Sequence, residues 1–236
     1  MLVLLHGALG AAAQLAPLAE RLAGAHAPLV PELPGHGATP LGDGPLRVEL
    51  RVERLAEHLA ARLEGALAAR GGGRARIFGY SMGGYVALHL AATRPDLVAR
   101  VMTLGTRLAW TPDGAARETA QLDPAAIRAK VPRFAQALEA RHTALGWEAL
   151  LAGTAGLMRA LGDRPLLTAE TLAAIACPVR IAVGDRDATV TIEESRDAAR
   201  ALPQGELEVL PATPHPFERA PIERVAWSVA EFLGRE

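Results

Sequence analysis

The sequence predicts an α/β fold, a mostly parallel sheet covered by helices on both faces. Three observations lead there. Apolar runs of strand length alternate with segments whose apolar residues recur at helical spacing. One strand-to-helix junction carries Gly79-Tyr80-Ser81-Met82-Gly83, a serine flanked two residues away on each side by glycine. The alternation then breaks over residues 107–176, where no convincing strand can be read.

Taken in order, Leu2–Leu5 reads as a buried strand and His6-Gly7-Ala8-Leu9-Gly10 as a loop. Leu15, Leu18, Ala19 and Leu22 follow at helical spacing, with Pro17 in the first turn, where its missing N–H costs nothing. Residues 27–30 read as a second strand. A turn-rich loop, Pro31-Glu32-Leu33-Pro34-Gly35-His36-Gly37, comes next and continues through Asp43, Gly44 and Pro45. From Val52, the residues Leu55, Ala56, Leu59, Leu63, Ala66 and Leu67 form the apolar face of a long helix. Glu53, Arg54, Glu57, Arg62 and Glu64 take its solvated face, and Gly71-Gly72-Gly73 stops it. The junction strand and its helix follow, then a strand over Val98–Leu104.

In the strandless stretch, Val131, Phe134, Ala135, Leu138 and His142 share one helical face. Trp147, Leu150, Leu151, Thr154, Met158 and Leu161 share another, so residues 107–176 read as a helical cap above the strand ends. The core is then 1–106 together with 177–236. It resumes with a strand at 179–183, a helix through Leu202, a strand at 206–210, a loop holding His215, and a last helix with Ile222, Val225, Ala226, Val229 and Leu233 inward.

Composition narrows the function classes. Half of the 236 residues are hydrophobic and the formal net charge is −1, which argues against disorder and against nucleic-acid binding. The single cysteine, Cys177, excludes an internal disulfide and a cysteine-based metal cluster, and reads as a small apolar packing residue. Leu2–Leu5 followed by Ala11-Ala12-Ala13 faintly suggests a secretory signal, but a basic start is missing and His6-Gly7 interrupts the apolar run. No apolar stretch is long enough to cross a membrane, so a soluble cytoplasmic protein is expected.

The Gly-x-Ser-x-Gly junction has the form of a nucleophile elbow. So tight a turn pushes its central residue to positive φ, which a non-glycine residue adopts only under strain. It raises the Ser81 hydroxyl above the sheet and aims the following helix N-terminus at what binds there. A serine hydroxyl needs a base, and the base needs an orienting carboxylate. Gly184-Asp185-Arg186-Asp187 sits directly after a strand, so Asp185 and Asp187 compete for the acid role. Of seven histidines, His26, His58 and His89 fall in helices or helix-to-strand joints, His36 in a turn and His142 in the cap. His215 alone lies in the loop after the last strand, where open α/β sheets place their chemistry. Backbone donors for a developing oxyanion are expected from Met82 N–H and Ala8 N–H, with His6 bracing the loop.

These residues together resemble the α/β-hydrolase fold family, in its esterase-like branch with a helical cap. The resemblance rests on Leu4-Leu5-His6-Gly7, Glu32-Leu33-Pro34-Gly35-His36-Gly37, Gly79-Tyr80-Ser81-Met82-Gly83-Gly84, Gly184-Asp185-Arg186-Asp187 and Pro214-His215-Pro216, which span nearly the whole chain. It implies Asp187 as the acid, because the last position of that family's G-x-x-D turn is the catalytic one. It implies a reaction needing no metal or organic cofactor, and a cap that shapes the pocket. Three departures stand out. The chain starts at the family's third strand, so a sheet of about six strands with a newly exposed edge is expected. Glu32 replaces a common Asp, and Pro214 stands where glycine usually precedes the histidine.

The expected activity is that of a serine hydrolase cleaving a small-to-medium carboxylic ester, a small molecule, through an acyl-enzyme. The alternatives are C–C bond hydrolysis or lyase-type chemistry with the same triad, or ligand binding without turnover. Dehalogenase and epoxide hydrolase chemistry is disfavoured because those relatives use Asp where Ser81 stands. Phe134, Leu138, Trp147 and Met158 are the candidate substrate-binding residues. Arg107, Arg133, Arg141 and Arg159 could instead bind a carboxylate, although Arg133 and Arg141 fall on the polar side of their helix.

Overall fold

A computed structural model of the chain describes residues 1–24, 27–41 and 49–235. The readings of His26, Asp43, Gly44 and Pro45 fall outside them. Five strands form one all-parallel sheet in the order β1 (Leu2–Leu5), β2 (Ala75–Tyr80), β3 (Val98–Leu104), β4 (Val179–Gly184) and β5 (Gly205–Leu210). Strands buried on both faces have no solvent side to mark with polar residues, which is why β1 and β4 appear as nearly unbroken apolar runs.

The segment expected as a further strand contributes less. Only Leu29 bridges to Val3, with its N–H donating to Leu2 O and its carbonyl accepting from Leu4 N–H, both at 2.9 Å. That single bridge engages Leu2 and Leu4 on the edge of β1 that faces away from β2.

The core has two halves, one on each side of the sheet. On one side α1 (Ala16–Leu22), entered by a 3₁₀ turn over Ala12–Leu15, packs with α10 (Ile222–Gly234) around Leu4, Phe78, Met102, Val229 and Phe232. On the other, α2 (Val52–Ala68), α3 (Met82–Thr93) and α9 (Ile192–Ala201) enclose Leu59, Leu63, Ile77, Val86 and Ile181. The triple glycine ends α2 as expected, with φ of +82°, +101° and +99° at Gly71, Gly72 and Gly73.

Between β3 and β4 the described chain forms helices and no strand: α4 (Pro112–Thr119), α5 (Pro124–Lys130), α6 (Pro132–Arg141), α7 (Trp147–Asp163) and α8 (Ala169–Ala173). Ile127, Ala135, Leu138, Trp147 and Leu151 make a small core within this helical segment.

Strand β5 inverts the usual pattern. Leu207 and Val209 are 39% and 38% exposed, whereas Glu206 and Glu208 turn toward Arg180 of β4. Arg180 is 7% exposed, ion-paired with Glu206, Glu208 and Glu231, and lies 4.5 Å above the ring of Phe232. A desolvated guanidinium needs such pairing, and the charges take the inward positions for that reason. No helix among the described residues is long and apolar enough to cross a membrane.

Candidate active site

Ser81 stands between β2 and α3 with φ 51° and ψ −117°, the strained conformation expected of an elbow. Close backbone packing requires its glycines. A Cβ on Gly79 would lie 2.5 Å from Gly84 backbone atoms, and one on Gly83 would lie 2.6 Å from the carbonyl oxygens of Leu5 and His6. The turn is pinned on both sides. Ser81 N–H donates to Leu104 O at 2.9 Å, and its carbonyl accepts from Thr106 Oγ1 at 2.9 Å.

The residues expected as acid and base meet. His215 Nδ1 lies 2.8 Å from Asp187 Oδ2, while Asp187 Oδ1 accepts the N–H groups of Thr189 at 2.8 Å and Val190 at 2.9 Å. The Asp187 side chain is 2% exposed and that of His215 20% exposed. A carboxylate held this way fixes both the ring orientation and the tautomer that carries hydrogen on Nδ1, leaving Nε2 free to accept a proton. Asp185, the competing acid, instead accepts Thr213 N–H at 3.2 Å and so braces the histidine loop.

Pro214 does not keep His215 from reaching Asp187. Its loop is anchored by the Thr213 bond and by Tyr80 Oη, which donates to His215 O at 2.8 Å. Burial pushes the Tyr80 hydroxyl well above the usual phenol range, so it stays a donor. The Tyr80 ring also lies 5.5 Å from the His215 ring, tying the histidine to the residue before Ser81. Gly105, with φ +60°, lets the pair approach, since a Cβ there would sit 3.0 Å from Asp187 Oδ2 and 3.2 Å from His215 Nδ1. Tyr80 and Gly105 were not singled out in the sequence. Their signal was position alone, one beside the serine and one at the end of the neighbouring strand.

Ala8 and Met82 line one pocket with Ser81. Gly7 brings the two loops together: a Cβ on it would lie 2.8 Å from the Tyr80 ring and 3.2 Å from Ser81 Cβ. His6 braces this turn as expected. Its Nδ1 donates to Gly7 O at 2.9 Å and its Nε2 accepts Leu33 N–H at 3.1 Å. Burial holds its pKa down at about 4, and with Nε2 already accepting, the 3.4 Å approach of Glu32 Oε1 is not an ion pair. Glu32 Oε1 is itself used by Ala12 N–H at 2.7 Å, which gives the Asp-to-Glu departure a structural purpose.

The expected substrate-binding residues need correction. Met158 lines the Ser81 pocket, together with Trp110, Thr154, Leu157 and Leu161. The structure does not bring the other three candidates there. Leu138 and Trp147 are buried in the helical segment's own core, and Phe134 is 42% exposed. Val131, placed on the same face, is 47% exposed. Helical spacing identifies an apolar face, and nothing in spacing says whether the face meets a ligand or another helix.

The pocket is small, about 50 Å³, room for a few waters. An adjoining hollow of about 190 Å³ shares Val52, Leu157 and Leu161 and is lined by the charged residues Arg51, Glu53 and Arg164. Arg107 faces the Ser81 pocket but is committed to Glu118 at 2.8 Å and to Thr189 O, and stacks 5.4 Å from the Trp110 ring. Arg141 is bound to Leu9 O at 2.8 Å. Arg159 lines a different surface hollow, beside Asp163.

The family model of the alpha/beta hydrolase family matches residues 2–227. The chain belongs to that family. Among curated hydrolases it is similar to a pimeloyl-[acyl-carrier protein] methyl ester esterase of Chromobacterium violaceum, 32% identical over 91% of this chain and 87% of that protein. It is also similar to a lipase of Mycobacterium tuberculosis, 36% identical over 42% of this chain and 38% of that protein. Solved hydrolases share the fold. A thermophilic esterase from Thermogutta terrifontis superposes with a TM-score of 0.74 at 24% identity, covering 99% of this chain and 89% of the other. The lipase-like structure from Acinetobacter baumannii gives 0.80 at 21%, covering 98% and 82%.

Proposed function

We propose that this hydrolase-family chain is a serine esterase working through an acyl-enzyme. The observation that carries the reading is the His215–Asp187 pair, 2.8 Å apart, packed against Gly105 and against Tyr80, the residue before a serine held at positive φ. Ser81 Oγ attacks the ester carbonyl as His215 Nε2 takes its proton. The backbone N–H groups of Ala8 and Met82 receive the developing oxyanion. The protonated imidazole, stabilised by Asp187, then gives its proton to the leaving alcohol, and water repeats the sequence to release the acid.

The acyl group in this reading is small and neutral. The walls beside Ser81 are apolar, the free space is short, and Arg107 already has its counter-charge. A specific observation favours a second substrate reading: Arg164 lines the adjoining hollow and would suit a longer acyl chain ending in an anion, although Glu53 shares that hollow and Arg51 is already paired with Glu49. The similar protein from Chromobacterium violaceum is named for a pimeloyl-[acyl-carrier protein] methyl ester, whose acyl chain is carried on a protein instead of ending in a free anion.

The deciding experiment pairs Ser81→Ala with fluorophosphonate labelling and an ester series. Labelling of the native chain at Ser81, with hydrolysis abolished in the variant, is the expected result. Undiminished turnover by Ser81→Ala sinks the reading, and labelling without turnover of any ester points to the same triad serving C–C or lyase chemistry. In the series, each added methylene gains up to about 0.8 kcal/mol until the pocket is full. A preference for dicarboxylate monoesters that is lost in Arg164→Ala selects the longer, anionic acyl chain.

A further inference from the structure

The turn that presents Ala8 is held by the helical segment. Residues Gly7 to Gly10 form a tight turn closed by Gly10 N–H on Gly7 O at 3.2 Å. Its third residue, Leu9, has φ +58°, a left-handed conformation that a branched side chain adopts at a cost of order 1 kcal/mol. Something must hold it there. Leu9 O accepts two hydrogen bonds from the end of α6, from Arg141 Nη1 at 2.8 Å and from His142 Nε2 at 3.0 Å.

His142 is fixed in turn. Its Nδ1 accepts Gly37 N–H at 3.0 Å, which assigns the hydrogen to Nε2 and makes that nitrogen the donor to Leu9. Gly37 O accepts from Thr143 N–H at 3.0 Å and from Ala144 N–H at 3.3 Å, so the chain after α6 is stitched to the loop around His36. His142 is 1% exposed and Arg141 half-buried. Arg141, read from sequence as a solvated residue, therefore points inward at the backbone.

We infer that Arg141 and His142 are positioning residues that clamp Leu9 in its left-handed conformation and thereby aim Ala8 N–H at the reacting oxygen. The inference rests on the esterase reading for its kinetic consequence, and on the two hydrogen bonds for its structural one. Neither residue lines the pocket around Ser81. An oxyanion donor acts on the transition state more than on the bound ester, so loosening it lowers kcat and leaves KM in place.

The test uses a neutral activated ester, so that loss of a charge on Arg141 cannot act through substrate attraction. Arg141→Ala is expected to lower kcat about tenfold with KM within about twofold, because a slightly misaimed catalytic group costs one to two powers of ten. Arg141→Lys, which keeps a cationic donor, restores most of it. Hydrogen exchange of the peptide covering residues 7–12 is expected to quicken in Arg141→Ala and return toward native protection in Arg141→Lys, a readout that needs no turnover. Native kcat in Arg141→Ala, a loss expressed in KM, or a loss that lysine does not restore overturns the clamp. So does unchanged exchange over residues 7–12. Should Arg141→Ala fail to fold, the same measurements on Arg141→Gln and His142→Gln decide by the same criteria. Ser81→Ala run alongside separates the two claims: activity surviving there removes the esterase reading, while the exchange data still judge the clamp.

Discussion

His215 and the trio His6, His36 and His142 use the same side chain in opposite ways. His215 is partly exposed and has a buried carboxylate on Nδ1. The trio is buried, with ring centroids 4.9 Å apart for His6–His36 and 5.9 Å for His36–His142, and its hydrogen bonds go to backbone groups. Burial lowers the pKa of all three, to about 4 for His6 and, with His6 nearby, to about 3 for His36. Burial among peptide groups makes the trio neutral braces, whereas His215 is held by a carboxylate.

The largest effect that tests this contrast is on His215. His215→Ala is expected to lower ester turnover by about 10⁴-fold or more with a melting temperature close to native, since the ring serves chemistry rather than packing. Loss of folding in place of activity would put His215 with the trio. Next, Asp187→Asn is expected to cost roughly 10³–10⁴ in kcat, and Asp185→Asn less than about tenfold, because only Asp187 touches the ring. Steady-state kinetics on both variants would reverse the assignment if the ranking reversed.

On the trio the reporter is stability. His6→Ala strands the N–H of the fully buried Leu33 and is expected to cost about 1–3 kcal/mol in urea unfolding. The smallest effect is a slope. His6 and His36 have folded pKa values of about 4 and about 3, below the unfolded value of 6.5, so below 6.5 the unfolded chain binds more protons. Their contribution is intact above pH 6.5. It is lost as pH falls toward 4 and 3, by about 1.4 kcal/mol per pH unit for each residue. Urea titrations of His36→Leu between pH 7 and 4 should therefore show a shallower decline than native, and an unchanged slope would mean that His36 does not stay neutral in the fold.

The same contrast explains what could be read from the sequence. Strands β1, β3 and β4 announce themselves because both faces are buried, and Ser81 because glycines must surround it. Asp185 and Asp187 could not be separated by residue type, since both sit in one turn and differ only in what each carboxylate meets. Residues 27–30 have strand composition but pair through Leu29 alone. In β5 the alternation is real but inverted, because Arg180 claims the inward positions for Glu206 and Glu208. Leu138, Trp147 and Arg141 show the limit of helical periodicity. It places a residue on a face, while the destination of that face is set by elements far away in the chain.

The order of the sheet, strand following strand from β1 to β5, has a consequence in time. As the chain leaves the ribosome, the elbow strand can find β1 and β3 long before β5 exists. The hydrogen bond between Tyr80 and His215 spans 135 positions, and that between Asp187 and His215 spans 28. Contacts of such separation close late, after the entropy of the intervening chain has been given up. The turn at Ser81 is thus made early, and His215 joins Tyr80 and Asp187 only when the last strand docks, so that on the esterase reading reactivity would arrive together with completion of the fold.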